Sequence, residues 1–327
     1  MRTIYVGGER HLFACSLGEA ELRVEDRVDA GALPSFMAFA PSHGTAYVVN
    51  EREDAIGVLR LEGERPVLIG KVASPGGPAY VSVDRSERWV LAANYGGGTV
   101  RLWPILDDGT LGPLSDEQRS GAHPHCVLSD PTNAYVLVTN KGSDTIACYR
   151  FDSQRGKLWE GEPFVVPLAR GSGPRHLAFH PQGHRAYLVD ELDCTVVTLA
   201  VEGASLRPLQ VLSTLPGPRG SDDSGADLHV SPDGRFVYVS NRGHDSIAIF
   251  KTSDDGLALV SHESTRGRTP RNFCLVGDDR LLVANQESSN IVGFERNRET
   301  GGLSLQFVAP VGEKAYWVGP PKHIVAY

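Results

Sequence analysis

No long apolar run occurs anywhere in the 327 residues. That removes a membrane-spanning helix, which needs about 20 consecutive apolar residues. Nor is there an apolar leader core near the start, where Met1-Arg2-Thr3-Ile4-Tyr5-Val6-Gly7-Gly8 already reads as a strand. Cysteine is sparse and odd in number. Cys15, Cys126, Cys148, Cys194 and Cys274 sit inside apolar runs, where the residue behaves as a small core side chain. A disulfide framework is therefore not expected, and a reducing compartment is. Positive charge is in deficit, with a net charge of −8, which argues against nucleic acid as a partner. Helix punctuation is scarce. The expectation is a cytoplasmic protein, a monomer or weak homo-oligomer, with neither membrane nor nucleic acid to bind.

What is present is turn chemistry: 36 Gly and 21 Pro, spread evenly between short runs rich in Val, Tyr, Phe and Leu. That composition describes many short strands joined by turns. The runs repeat. A Pro-x-x segment, a short apolar strand, a turn, a second strand ending in Asn or Asp and a third strand recur along the chain. Their anchors are Pro34, Pro78, Pro124, Pro174, Gly225 (where Pro is missing), Pro270 and Pro321, at intervals of 44, 46, 50, 51, 45 and 51 residues. Such a period suits a four-stranded propeller blade. The seventh anchor is followed only by Lys322–Tyr327, one strand's worth. Three unassigned strands, Thr3–Val6, His11–Leu17 and Glu21–Val28, lie at the other end. The pattern predicts an all-β, seven-bladed β-propeller of four antiparallel strands per blade, one domain over 1–327. A C-terminal strand joining the three N-terminal strands closes the ring and removes the open edges.

In a blade, the start of the first strand and the end of the second lie at the same mouth of the ring. The residue closing the second strand is Asn50, Asn94, Asn140, Asp190, Asn241 and Asn285 in six copies. A residue needed that often is scaffold. The next position varies: Glu51, Tyr95, Lys141, Glu191, Arg242, Gln286. So does the one after the anchor: Ser35, Ala79, His125, Arg175, Ala226, Arg271, Lys322. His176 and His323 follow two of these, and His123 precedes Pro124. An acidic protein with a cationic mouth is suited to a small anion carrying carboxylate or phosphate, because Arg binds either with two hydrogen bonds. The plain alternative is a rim of interblade ion pairs such as Arg175–Glu191.

At these residues the sequence resembles the propeller lactonase family, which includes bacterial 6-phosphogluconolactonases of propeller type and the fungal 3-carboxymuconate lactonizing enzyme. The matching stretches are Ala92-Ala93-Asn94-Tyr95-Gly96-Gly97-Gly98, Gly173-Pro174-Arg175-His176-Leu177-Ala178-Phe179-His180-Pro181, Asp190-Glu191-Leu192-Asp193, His229-Val230-Ser231-Pro232-Asp233-Gly234-Arg235 and Ser240-Asn241-Arg242-Gly243. The resemblance implies a cleft with a His, two Arg and a Glu, matched by His125 or His123, Arg175, Arg242 and Glu191. His123, His176, Asn94, Tyr95, Lys141, Arg271, Gln286 and Glu51 are the expected substrate contacts.

The expected chemistry is hydrolysis of a small anionic sugar lactone, 6-phosphogluconolactone foremost. His125 or Glu191 would act as base, and the arginines would stabilise the oxyanion. A cycloisomerase of a carboxymuconate-type substrate and a non-catalytic binding propeller are the alternatives. The latter would want exposed aromatics, for which Phe36, Tyr80 and Tyr95 are the candidates. No Gly-x-Ser-x-Gly elbow is present. His123 and His125 would point the same way on an extended strand, yet no compact ligand set surrounds them. No metal and no cofactor are expected. The loop Gly217–Gly225, with Asp222 and Asp223, is the longest insertion before a first strand and a candidate cover for the opening.

Overall fold

The computed structural model describes residues 2–62, 65–159, 164–203 and 205–321. These form seven antiparallel sheets, one per repeat. Blade 1 begins at Pro34, blade 2 at Pro78, blade 3 at Pro124, blade 4 at Pro174, blade 5 at Ser224 and blade 6 at Pro270. Within each, the strands follow one another in sequence order from the ring axis outwards. Blade 3 departs from this only at its rim, where Lys157–Leu158 and Phe164–Pro167 both pair with Thr145–Asp152. The helical content is three short 3-10 turns among the described residues, none able to cross a membrane.

Blade 7 carries the closure. Arg2–Gly7, His11–Leu17 and Leu22–Asp29 supply three strands, and Trp317–Gly319 pairs antiparallel with Arg2–Gly7 as the fourth. A C-terminal strand thus joins three N-terminal ones, but it runs ahead of Pro321 rather than after it. The expected strand Lys322–Tyr327 lies outside the described residues, as do Lys322 and His323.

The repeat has a structural meaning. In six blades the anchor faces the Asn or Asp that closes the second strand: Pro34↔Asn50, Pro78↔Asn94, Pro124↔Asn140, Pro174↔Asp190, Gly225↔Asn241 and Pro270↔Asn285. Immediately after that pair every inner strand carries one extra residue, a β-bulge. A bulge bends the strand and re-aims side chains. Here it turns two successive positions toward the axis, one at the mouth and one a layer below.

The closing Asn residues are scaffold. Asn94 is wholly buried, accepts from Ser74 Oγ at 2.6 Å and donates to Thr99 Oγ1 at 3.1 Å. Asn140 does the same with Ser120 (2.7 Å) and Thr145 (3.3 Å), and Asn241 with Thr214 (2.6 Å) and Ser246 (3.4 Å). Each clasp ties the segment entering a blade to that blade's third strand. Neighbouring blades are also pinned by tyrosines: Tyr47 donates to the Gly109 carbonyl and Tyr238 to that of Gly301, both at 2.9 Å. Between blades, fully buried residues such as Phe39, Phe179, Phe250, Phe273 and Trp317 fill the core. Each large apolar side chain so buried contributes about 1.5–3 kcal/mol. All five cysteines are free and buried in it.

Candidate functional site

The cationic mouth is a cleft of about 570 Å³. His125, Arg175, Glu191, Arg242, Tyr95, Lys141, Arg271 and Glu51, all expected from the sequence, line this one space. Arg52 joins them. It lies in a 3-10 turn, Glu51–Glu53, and nothing in the repeat singles it out.

Glu191 is the centre. Its Oε2 lies 3.1 Å from Arg175 Nε, and its Oε1 lies 2.5 Å from Lys141 Nζ and 3.3 Å from Arg242 Nη2. Blades 3, 4 and 5 each give one cation to a single carboxylate. Burial alone would raise the Glu191 pKa, but Arg175, Arg242 and Lys141 outweigh it and bring it down to about 2. The carboxylate is ionised and weakly basic. Arg175, 2% exposed, also donates to the Ala226 carbonyl; burial and the nearby Arg242 lower its pKa to about 9, so it stays charged at neutral pH. Arg242 donates to the Gly225 carbonyl at 2.9 Å. The ion pair between Arg175 and Glu191 does form, but within blade 4 and buried in the cleft rather than between blades; the contacts that cross blades are those of Glu191 with Lys141 and Arg242.

His125 sits in the bulge after Pro124, 7% exposed. Burial, then Arg175, His176, Arg271 and Lys141, hold its pKa well below the ordinary 6.5, so the ring is neutral. Its Nδ1 is sealed from solvent without a partner among the described residues, which leaves Nε2 for the cleft. Tyr95 presents its ring edge-on to His125 at 5.9 Å, and Lys141 Nζ lies 5.7 Å from the Tyr95 centroid. On the far wall Arg271 reaches Glu51 at 3.3 Å and packs 5.6 Å over Tyr316, while Ser35 donates to the same Glu51 oxygen.

Four expected contacts are not in the cleft. Asn94 is a buried clasp residue and cannot touch a ligand. Gln286 turns away and donates to Glu287 at 2.8 Å. His123 precedes the strand with a φ of 54°, so it does not alternate with His125 along extended backbone. Its exposed ring stacks on Tyr95 at 4.5 Å and 6°, holding that ring from outside. His176 lies a layer below, in the wall of a second cavity of about 350 Å³ that opens at the opposite mouth. Phe36 and Tyr80, expected as mouth aromatics, are buried in that same layer and stacked on each other at 4.0 Å. The bulge accounts for the depth of His176, Phe36 and Tyr80, since neighbours in sequence become neighbours in depth.

The loop 217–225 does not line the cleft. It folds on itself, with Gly220 N donating to Asp223 at 2.8 Å, and meets the site at Gly225, which accepts from Arg242 and donates its N–H to the Glu191 carbonyl at 3.0 Å. Among the described residues no group of three or more His, Cys, Asp or Glu is arranged to hold a metal ion.

The family described as lactonase, 7-bladed β-propeller, matches the chain over residues 7–320. A 6-phosphogluconolactonase of Bacillus subtilis (strain 168) is 33% identical over 321 residues, 91% of either chain. One of Serratia proteamaculans (strain 568) is 32% identical over 86% of this chain and 83% of its own. Among solved structures, a periplasmic gluconolactonase of Pseudomonas aeruginosa superposes with a TM-score of 0.89 at 30% identity, covering 96% of this chain and 97% of that one.

Proposed function

The chain belongs to the seven-bladed β-propeller lactonase family, and from that premise we propose that it hydrolyses a phosphorylated sugar lactone, 6-phosphogluconolactone foremost. One observation carries this reading: Lys141, Arg175 and Arg242 converge on Glu191 beside a neutral, partly unsatisfied His125. Five cations line the cleft, Arg52, Lys141, Arg175, Arg242 and Arg271, against two carboxylates, Glu51 and Glu191. An excess of that size favours a dianionic phosphate over an uncharged sugar.

The chemistry follows from the protonation states. Water attacks the lactone carbonyl carbon while His125 Nε2 takes one of its protons. Arg175 and Arg242 receive the negative charge that develops on the carbonyl oxygen. The ring C–O bond then breaks, and the His125 proton passes to the departing oxygen, leaving a hydroxy acid. A base with so low a pKa is weak until something raises it. The substrate's own anion does this, by offsetting the cations that depress His125. Glu191 is no candidate for the base, since three cations already share its charge; it holds Arg175, Arg242 and Lys141 in place. The test is turnover of 6-phosphogluconolactone beside gluconolactone and a carboxymuconate. Preference for the phosphorylated lactone supports the reading. Folded protein inert toward all three overturns it, and turnover of the carboxymuconate alone replaces hydrolysis by cycloisomerisation.

A further inference from the structure

Below the cleft, the second residue after each anchor forms a belt: Phe36, Tyr80, Cys126, His176, Asp227 and Asn272, all buried. On blades 1 to 3 the belt is packing, with Phe36 and Tyr80 stacked. On blades 4 to 6 it is a hydrogen-bonded chain. His176 Nδ1 lies 2.6 Å from Asp227 Oδ1, and Asn272 Nδ2 donates to Asp227 Oδ2 at 2.6 Å. Backbone N–H groups of Leu228 (2.9 Å) and Phe273 (3.2 Å) complete the cradle, with His229 Nε2 at 3.2 Å. Burial opposes ionisation of Asp227, but His229, His176 and their hydrogen bonds outweigh it and hold the carboxyl well below its ordinary range. An ionised carboxylate puts the His176 proton on Nδ1 and leaves Nε2 bare.

That bare Nε2 is buried without a partner among the described residues, and so is Nδ1 of His125. The two rings lie 5.2 Å apart at 61°. Buried polar atoms are nearly always paired, so two orphans on adjacent rings call for an explanation. We propose that Asp227 and His176 are positioning residues for His125. The bare Nε2 of His176 receives the His125 Nδ1–H across one shared water, which keeps the His125 Nε2 lone pair facing the cleft. When His125 takes the proton from water, its imidazolium then faces an acceptor backed by a carboxylate, the arrangement that steadies a catalytic histidine elsewhere. This rests on the hydrolytic reading of the cleft, with His125 as base.

The charged and titratable groups facing His125 are Arg175, Arg271, Lys141, Tyr95 and His176; those facing His176 are Arg175, Tyr80, Asp227 and, beyond it, His229. The experiment compares wild type, Asp227→Asn and His176→Phe, two variants so that a folding defect in one leaves the other. Histidine ring nitrogen shifts in the labelled wild-type protein are expected to show protons on Nδ1 of both His125 and His176. Each variant is expected to mix the His125 tautomers, lower kcat at least about tenfold at nearly constant KM, and move the acid limb of kcat to lower pH. A His125 proton on Nε2 in wild type overturns the proposal, as does a folded variant with unaltered kcat and pH profile. If wild type turns over no lactone, the hydrolytic reading falls, and the tautomer measurement still decides the positioning.

Discussion

Arg175 Nε and Glu191 Oε2 meet at 3.1 Å across the first two strands of blade 4, with 3% and 12% of their side chains exposed. The pair is the junction between fold and cleft, because Glu191 also gathers Lys141 from blade 3 and Arg242 from blade 5. Removing one partner of a buried ion pair costs about 3–5 kcal/mol. Glu191→Gln should therefore lower unfolding stability by an amount of that order, read from urea denaturation at pH 7. The pH dependence has a definite sign. Glu191 falls from an ordinary 4.5 to about 2 in the folded state, so its contribution is present above about 4.5 and lost as pH falls toward 2. Across that window the wild-type melting temperature should fall more steeply than that of Glu191→Gln.

Asp190 occupies a position that is Asn in five other blades, and its Oδ1 is buried without a partner among the described residues. Burial first, then Asp193, raises its pKa from 3.8 to about 7. The folded state thus favours the protonated form, and stability declines as pH rises from about 4 through about 7. Asp190→Asn supplies the neutral clasp directly. It should raise the melting temperature at pH 8 and change it little at pH 4. An equal effect at both values would remove the titration argument.

Arg242 donates to Gly225, faces Glu191 and lines the cleft. Arg242→Ala should lower kcat/KM for the phosphorylated lactone at least about tenfold, about 1.4 kcal/mol of transition-state stabilisation. Unchanged kinetics would take this residue out of the site.

Inorganic phosphate should raise the wild-type melting temperature with the logarithm of its concentration above Kd, since a ligand bound to the folded state alone stabilises it. The shift should shrink in Arg271→Ala, which removes one cation from the far wall, and vanish in high chloride. Calorimetry with and without phosphate reads it.

Gly76 forms the cleft wall with φ 103°, and a Cβ there would lie 2.6 Å from the Gly97 Cα. Both partners are backbone and cannot swing aside. Gly76→Ala should destabilise the protein by more than the roughly 1 kcal/mol usual for such exchanges and weaken substrate binding. The N–H groups of Gly96 and Gly97 that meet the Gly76 carbonyl (2.8 and 2.9 Å) would separate.

The ring was legible because its physics repeats. Six blades need the same turn residues and the same anchor opposite an Asn or Asp, so six weak signals in one register reinforce one another. The cleft was legible for a related reason: Glu51, Lys141, Glu191 and Arg242 stand out against the scaffold by varying where Asn50, Asn140, Asp190 and Asn241 do not. Closure was harder to locate. Trp317–Gly319 is three residues long and carries no punctuation, whereas Pro321 copies the anchor and drew the expected strand past it.

Sequence alone therefore determined the blade number, the register of anchor against Asn and eight of the residues around the cationic mouth (Glu51, Tyr95, His125, Lys141, Arg175, Glu191, Arg242 and Arg271), all consequences of local chemistry repeated at fixed spacing. Depth belonged to the tertiary structure. A single extra residue in each inner strand decides that His125 reaches the cleft while His176 sinks to the belt, and a bulge leaves no mark in residue type. Ring closure then decides the company each keeps: Glu191 meets cations from three blades, and His176 meets Asp227, 51 residues away in sequence. Such contacts arise because closing a ring brings the same position of every blade to one axis, a condition no single repeat contains.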